Sequence, residues 1–160
     1  MLHFRPFKPQ DAETVFMLRA ENVMKVLTEE LGMERAFALI KNFPPHYFLK
    51  KAKKNKIHIT EANGKIVGFC SAIVQDGEPL IDYFFIAFEH RNKGWGREMM
   101  RYLIDWSKKT YPKHRKLVAI TAAPKISGGF YKKMGFKPIA LIDYPYCGST
   151  YTSLRLEKAL

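Results

Sequence analysis

Residues 91–97 read Arg-Asn-Lys-Gly-Trp-Gly-Arg and combine the residue types that bind phosphate groups. The segment stands between an apolar run and a helical pattern, so we expect it to form a helix N-terminus, where free N–H groups and a partial positive charge attract phosphate oxygens. Its two glycines leave out Cβ atoms that would hold a pyrophosphate away, and its three basic residues add charge. We therefore predict that a phosphate-bearing ligand binds along Arg91, Asn92, Lys93, Gly94, Trp95, Gly96 and Arg97.

Other phosphate-binding loops do not fit this segment. The dinucleotide fingerprint requires a third glycine where Met99 stands, and the Gly-Lys-Ser/Thr of a nucleoside triphosphate loop occurs nowhere in the chain. Taken alone, the Arg-x-x-Gly-x-Gly spacing describes a basic, glycine-rich turn at the start of a helix equally well. A second motif is needed to decide between these interpretations.

The second motif is Phe130-Tyr131-Lys132-Lys133-Met134-Gly135-Phe136, which ends a predicted short helix one strand further along. With it, the chain resembles the GNAT superfamily of N-acetyltransferases. Members of that family carry a Gln/Arg-x-x-Gly-x-Gly/Ala loop between a strand and a helix and, later, a helix that ends in Tyr-x-x-x-Gly-Phe. The resemblance extends from Phe4 to Leu156 and is most specific between residues 82 and 136.

Some positions depart from the family pattern. Pro124 stands where many members have asparagine, and Phe88 stands where many have proline. Gly128 and Gly129 fall in the first turn of a helix predicted at residues 127–134, where glycine is unfavourable. Either the close approach of a cofactor or a flexible helix start capped by Ser127 would explain these glycines.

The resemblance implies an N-acetyltransferase that uses acetyl-coenzyme A (acetyl-CoA) as cosubstrate and transfers the acetyl group directly to a primary amine. It implies that the pyrophosphate lies on the 91–97 loop. Main-chain N–H groups around Ile86, Ala87 and Phe88 would hold the pantetheine arm and polarise the thioester carbonyl. Tyr131 would be the general acid that protonates the departing thiolate, with a core aromatic residue as the alternative interpretation.

The acceptor must lose a proton, since an alkyl amine with a pKa of about 10.4 is almost wholly protonated at pH 7. Asp82 is the candidate base because it is the only carboxylate within the apolar run Leu80–Phe88, where an uncompensated charge would be costly. A charge at an exposed strand end, paired with a lysine, is the alternative. His46, Tyr47 and residues 144–147 are candidates for lining the acceptor pocket.

The elements that position these residues predict an α+β fold, with a GNAT-like mixed, partly parallel central sheet and helices on both faces. Alternating or continuous apolar residues predict strands at 57–60, 66–74, 80–88, 117–122 and 2–7, with two more flanking 144–148. Asn63-Gly64 and Asp76-Gly77 predict the turns on either side of the 66–74 strand. Helical periodicity predicts helices at 11–26, 34–41, 47–54, 95–109 and 127–134. We expect a single acetyltransferase domain over residues 1–160, since a chain of this length supports one core.

The charge balance indicates an anionic partner. The chain has 27 Lys and Arg against 15 Asp and Glu, a net charge of +12, and such a field attracts phosphates and polyanions. Two non-catalytic alternatives remain: a basic nucleic-acid-binding domain and a domain that senses acyl-CoA without turnover. Nucleic acid is the weaker of the two, because no aromatic pair is interleaved with the lysine run Lys50–Lys56 and no helix-turn-helix or zinc-finger pattern occurs.

Composition bounds the remaining expectations. No apolar run approaches the roughly 20 residues of a membrane span, so no membrane partner is expected. Cys70 and Cys147 lack the spacing of a zinc site or a disulfide framework, so we expect no metal and a cytoplasmic location. The acceptor, a small-molecule or peptide amine, is not identified, although the positive field favours one of low positive charge that also carries a carboxylate or phosphate. The oligomeric state stays open, with a homodimer as one alternative.

Overall fold

The computed structural model describes residues 1–54, 56–146 and 148–160. Within them seven strands form one sheet in the order β1-β2-β3-β4-β5-β7-β6. The strands are β1 (His3–Pro6), β2 (His58–Ala62), β3 (Lys65–Gln75), β4 (Glu78–Ile86), β5 (Lys116–Thr121), β6 (Lys137–Tyr146) and β7 (Ser149–Ala159). The turns predicted at Asn63-Gly64 and Asp76-Gly77 are confirmed, with positive φ at all four residues, as the tightest hairpin turns require.

The sheet is mixed, as predicted. β4 and β5 run parallel, whereas the other neighbouring strands run antiparallel. In the described residues the parallel pair is aligned only at Leu80 and Val118. The two strands therefore diverge toward their carboxyl ends and leave a gap in the sheet.

Helices cover both faces of the sheet: α1 (Ala12–Asn22), α2 (Thr28–Leu31), α3 (Met33–Lys41), α4 (Pro45–Ala52), α5 (Trp95–Thr110) and α6 (Pro124–Lys133). A π-helical turn, Val23–Leu27, joins α1 to α2. On one face α1 and α4 pack around a core that includes Val15 and Phe69. On the other face α5 and α6 contribute Met99 and Tyr131 to a second core. None of the helices in the described residues is long and apolar enough to span a membrane.

Several predicted boundaries are wrong. The helix predicted at 11–26 is α1 followed by the π-helical turn, and residues 144–146 belong to β6 rather than to the connection between the last two strands. The helix α6 begins at Pro124 rather than Ser127, because the fixed φ and missing N–H of proline suit the first helical position. Gly128 and Gly129 thus lie inside the helix, and Ser127 does not cap it. The strand β4 ends at Ile86 rather than Phe88, because the chain turns into a short 3₁₀ segment there.

Candidate active site

The 91–97 segment forms a tight turn that leads directly into α5, so the predicted helix N-terminus is confirmed. Gly94 has a φ of +84° and immediately precedes the first helical residue. Asn92 has a φ of +62°. Glycine adopts this left-handed backbone at no steric cost, and asparagine is among the few other residues that tolerate it. The conformation of the turn itself therefore favours glycine at position 94.

Main-chain N–H groups in this turn are available to a ligand. The N–H groups of Arg97 and Glu98 both donate to the carbonyl of Gly94, at 3.0 and 3.2 Å. Within the described part of the chain, the N–H groups of residues 92–96 donate to no protein acceptor. Consecutive free N–H groups at a helix N-terminus attract oxyanions. The turn can thus bind a phosphate group through main chain alone.

Gly96 has a different role from Gly94. A Cβ at Gly96 would lie 3.3 Å from Cε2 of Phe130, whereas a Cβ at Gly94 would meet no atom within 4 Å. Gly96 therefore allows α5 and α6 to pack closely. Packing against Phe130 thus accounts for Gly96, whereas the open space at Gly94 leaves room for a ligand.

Trp95 contributes its main chain rather than its ring to the turn. The indole is half-buried and packs against the cluster of Leu2, Ala62 and Val67. It also contacts the ring of His90, with centroids 4.6 Å apart. The main-chain N–H of Trp95 points into the turn independently of this ring packing.

A basic groove adjoins the turn. Arg97 and Arg101 stand one turn apart on α5, and Lys133 and Lys158 line the groove from α6 and β7. Asp105 also lines the groove and offsets part of this charge. Positive charge beside the free N–H groups extends the region that favours anions.

The main chain of Ala87 is already engaged. Its N–H donates to the carbonyl of Val67 at 2.8 Å, and its carbonyl accepts a bond from the His90 N–H at 2.9 Å. Ala87 therefore has no main-chain donor left for a ligand, contrary to the expectation from the sequence.

Ile86 is better placed than its neighbours to donate toward the gap. Because Ala87 bonds toward β3 and successive strand residues alternate direction, the N–H of Ile86 points to the side of β5. The carbonyl of Ile86 accepts a bond from Nδ2 of Asn22 at 2.8 Å, which ties α1 to the end of β4. The Phe88 N–H lies 3.5 Å from Oε2 of Glu21, a long contact. Of the three expected donors, Ile86 is the one directed into the gap.

A cavity of about 200 Å³ lies where β4 and β5 diverge. Residues of both strands, of α6, of the β6–β7 hairpin and of the first three helices line it. Asp82 of β4 and Tyr131 of α6 both do so, together with Tyr144 and Tyr146. His46 and Tyr47 are not among the described residues that line it, and Cys147 lies outside the described residues.

Asp82 lies at an irregularity in β4. Ser71 of β3 is opposite Tyr83, and the next residue, Ala72, is opposite Ile81, so that Asp82 is the extra residue of a β-bulge. A bulge bends the strand and redirects a side chain. Asp82 is half-buried in the middle of the strand rather than at an exposed end, which disfavours the alternative of a charge at a strand end.

Tyr131 belongs to the core and to the cavity at once. Its ring packs edge to face against Phe130 and Phe136, with centroids 5.7 and 5.5 Å away. Burial raises the pKa of the Tyr131 phenol above its ordinary value. The phenol therefore stays protonated throughout the neutral range and can act as a proton donor.

One charged residue of the cavity was not expected from the sequence. Arg19 of α1 is 3% exposed and lines the cavity. Its burial could not be predicted from its position on the helix, because an arginine on a surface helix is ordinarily solvated.

Comparisons with known proteins agree with this geometry. Residues 53–138 match a family described as "Acetyltransferase (GNAT) domain". A GCN5-related N-acetyltransferase from Rhodopseudomonas palustris is 16% identical with a TM-score of 0.84, covering 99% of this chain and 95% of that one. The PaiA N-acetyltransferase from Thermoplasma acidophilum, in complex with coenzyme A, is 15% identical with a TM-score of 0.82, covering 100% and 99%.

A ribosomal-protein-alanine N-acetyltransferase from Brucella melitensis is 19% identical with a TM-score of 0.71, covering 99% of each chain. At these identities the similarity establishes the fold, and it confirms the predicted mixed sheet with helices on both faces. No curated protein sequence matches the chain significantly.

Proposed function

This chain belongs to the acetyltransferase (GNAT) domain family, and on that premise we propose that it transfers an acetyl group from acetyl-CoA to a primary amine by direct attack. The observation that carries the proposal is that Asp82 and Tyr131 line one cavity, at the gap between β4 and β5. A base and an acid that line one small cavity are what acyl transfer to an amine requires.

The choice of cosubstrate is supported by the turn before α5 and by the basic groove beside it. Free N–H groups at residues 92–96 suit the pyrophosphate of coenzyme A. The cations of the groove, Arg97, Arg101, Lys133 and Lys158, suit its remaining phosphate. One similar structure was determined with coenzyme A bound. When bound, acetyl-CoA supplies an acetyl group activated as a thioester.

Asp82 would act on the acceptor. Its carboxylate accepts a proton from the ammonium group, so that the nitrogen lone pair can form the new bond to the acetyl carbon. The N–H of Ile86 would donate to the carbonyl oxygen as negative charge develops there.

Tyr131 would act on the leaving group. As the carbon–sulfur bond breaks, the phenol donates its proton to the sulfur and the thiol leaves neutral. The nitrogen then loses its second proton, which returns through water to the Tyr131 phenolate. Burial raises the pKa of this phenol and makes it a weaker acid. Its proton would therefore be transferred only if the same low-polarity surroundings also raise the proton affinity of the thiolate. The general acid and the leaving sulfur would therefore share one desolvated pocket.

A two-part experiment tests the proposal. Unfolding temperature is measured with acetyl-CoA, with a DNA duplex and with an RNA, and thiol release is then followed with acetyl-CoA and a panel of amines. We expect stabilisation by acetyl-CoA alone and thiol release that depends on an amine. Stabilisation without release from any amine would favour the acyl-CoA sensor, and stabilisation by nucleic acid alone would overturn the assignment.

A further inference from the structure

Arg19 is a buried cation without a carboxylate partner in the described residues. Its Nη1 donates to the carbonyl of Leu39 at 2.9 Å, and its guanidinium carbon lies 4.1 Å from the ring centroid of Phe43. Its Nε is buried and has no acceptor. No salt bridge includes Arg19 in the part of the chain that the structure describes.

This arrangement leaves the charge of Arg19 only partly compensated. An arginine carries a fixed charge and five N–H donors, and burying it is costly unless an anion or several acceptors balance it. One carbonyl and two aromatic faces, those of Phe43 and of Phe85 with its ring centroid 5.9 Å from the guanidinium carbon, supply a fraction of that balance. Since Arg19 lines the cavity, a ligand in the cavity can supply the rest.

We propose that Arg19 binds a carboxylate of the acceptor, so that the acceptor is a small amine that also carries a carboxylate. The inference rests on the proposed function, because it concerns the same cavity. Asp82 and Arg19 provide opposite charges in one cavity, which match an ammonium group and a carboxylate on one molecule.

The remaining lining and the volume of the cavity indicate the size and polarity of the rest of the acceptor. Leu27, Leu31, Leu39 and Phe84 line it, and a volume of about 200 Å³ fits a compact side chain rather than an extended polyamine. The net charge of +12 acts in the same direction, because it repels acceptors with several positive charges.

A purely structural role for Arg19 makes a different prediction. The bond to the Leu39 carbonyl joins α1 to α3 near the C-terminal end of α3, where a cation is favourable. If that were the whole role, loss of Arg19 would affect all acceptors alike.

The test uses three pairs of amines that differ only in a carboxylate: glycine and methylamine, 4-aminobutyrate and butylamine, and L-phenylalanine and phenethylamine. In the wild type we expect the preferred pair to favour its carboxylate-bearing member in kcat/KM. In Arg19→Met that ratio should fall by about tenfold to a hundredfold, the value of a hydrogen-bonded charge. Arg19→Lys keeps the charge without the planar donors and should retain an intermediate ratio. This variant replaces Arg19→Met in the test if Arg19→Met does not fold.

A measurement of binding without catalysis distinguishes this proposal from the proposed acetyltransferase activity. Acetate, butyrate and 3-phenylpropanoate lack the amine and cannot be acetylated, and we expect at least one to raise the unfolding temperature of the wild type but not of Arg19→Met. If no amine releases thiol, the proposed function fails and this arm alone decides the role of Arg19. Equal losses for both members of the preferred pair, or no carboxylate preference in the wild type, would overturn the proposal. If no amine reacts, the proposal would be overturned when none of the three carboxylates raises the unfolding temperature of the wild type.

Discussion

The N–H of Phe136 donates to the carbonyl of Tyr131 at 3.0 Å, and the two rings meet edge to face with centroids 5.5 Å apart. Between them Gly135 has a φ of +84°, and its N–H donates to the carbonyl of Lys132 at 2.9 Å. These two bonds and the ring contact are those of a Schellman helix end. The Tyr-x-x-x-Gly-Phe pattern thus closes α6 in a way that fixes the direction of the Tyr131 ring.

Replacing Tyr131 by phenylalanine keeps this packing and removes only the proton donor. We expect kcat to fall by about ten- to a thousandfold while the affinity for coenzyme A is unchanged. Steady-state kinetics and calorimetric titration measure the two quantities. Tyr111→Phe is the control, because that hydroxyl bonds to the carbonyl of Ala72 outside the cavity. An unaltered kcat in Tyr131→Phe would show that the thiolate leaves without this phenol.

Asp82→Asn should lower kcat/KM at pH 7 by about a hundredfold or more, because the acceptor would have to lose its proton to water. The rate of the variant should recover as the pH approaches the pKa of the free amine, since the deprotonated acceptor then needs no base. A pH–rate profile measures both effects. Asp76→Asn is the matched control, because Asp76 lies in an exposed turn at a φ of +52° that asparagine also tolerates. Identical profiles for the two variants would rule out Asp82 as the base.

Gly94→Asp should weaken the binding of coenzyme A by about tenfold or more, because it adds negative charge beside the free N–H groups. The asparagine of Gly94→Asn has nearly the same shape as aspartate and tolerates a positive φ equally well, but it carries no charge, so this variant should weaken binding less. Affinity is measured by calorimetric titration of coenzyme A at low and moderate salt. The difference between the variants should shrink as salt rises. Equal affinities at low salt would mean that the phosphates bind elsewhere.

Gly96→Ala and Gly129→Ala should change stability in opposite directions in the absence of ligand. A Cβ at Gly129 would meet no atom within 4 Å, whereas one at Gly96 would press on Phe130 at 3.3 Å. Alanine within a helix is favoured over glycine by about 1 kcal/mol, so Gly129→Ala should stabilise. At Gly96 the same preference is opposed by overpacking that costs about 1–3 kcal/mol, so Gly96→Ala should destabilise by up to about 2 kcal/mol. Urea unfolding measures both, and a stabilised Gly96→Ala would contradict the packing role.

His58 should make stability fall in mild acid. It is buried, its Nδ1 lies 2.7 Å from the Tyr102 hydroxyl, and its Nε2 has no partner. Burial first, and then the charge of Lys56, lower the pKa of His58 in the folded protein. Folding therefore favours the neutral ring, and this stability is present above the unfolded pKa of about 6.5 and lost as pH falls through the folded value.

The test is the free energy of unfolding between pH 7.5 and pH 5, a window around that unfolded pKa of about 6.5. His58→Gln should flatten the decline, whereas His46→Gln, at an exposed position, should keep it. A wild-type stability that does not fall toward pH 5 would contradict the lowered pKa.

Local features of the fold could be predicted from the sequence. The hairpin turns, the start of α5 after Gly94 and the end of α6 at Gly135 are each set by residues next to one another in the chain. In each case glycine, asparagine or proline restricts the backbone in a known way. The apolar periodicities located the strands and helices between these points. Boundaries failed where two local signals competed, as when Pro124 rather than Ser127 began α6.

The function of individual side chains depended on contacts between distant parts of the chain. Asp82 and Tyr131 line one cavity only because β4 and β5 diverge and a bulge redirects the strand at Asp82. The N–H of Ala87 donates to the carbonyl of Val67 on a neighbouring strand and is not available to a ligand. Arg19 is buried because of how α1 docks on the sheet and on α3, and no pattern within a helix states which of its polar residues the tertiary packing will enclose. The chemistry of the motifs was therefore a property of the sequence, whereas the partners that complete the site were decided by long-range packing.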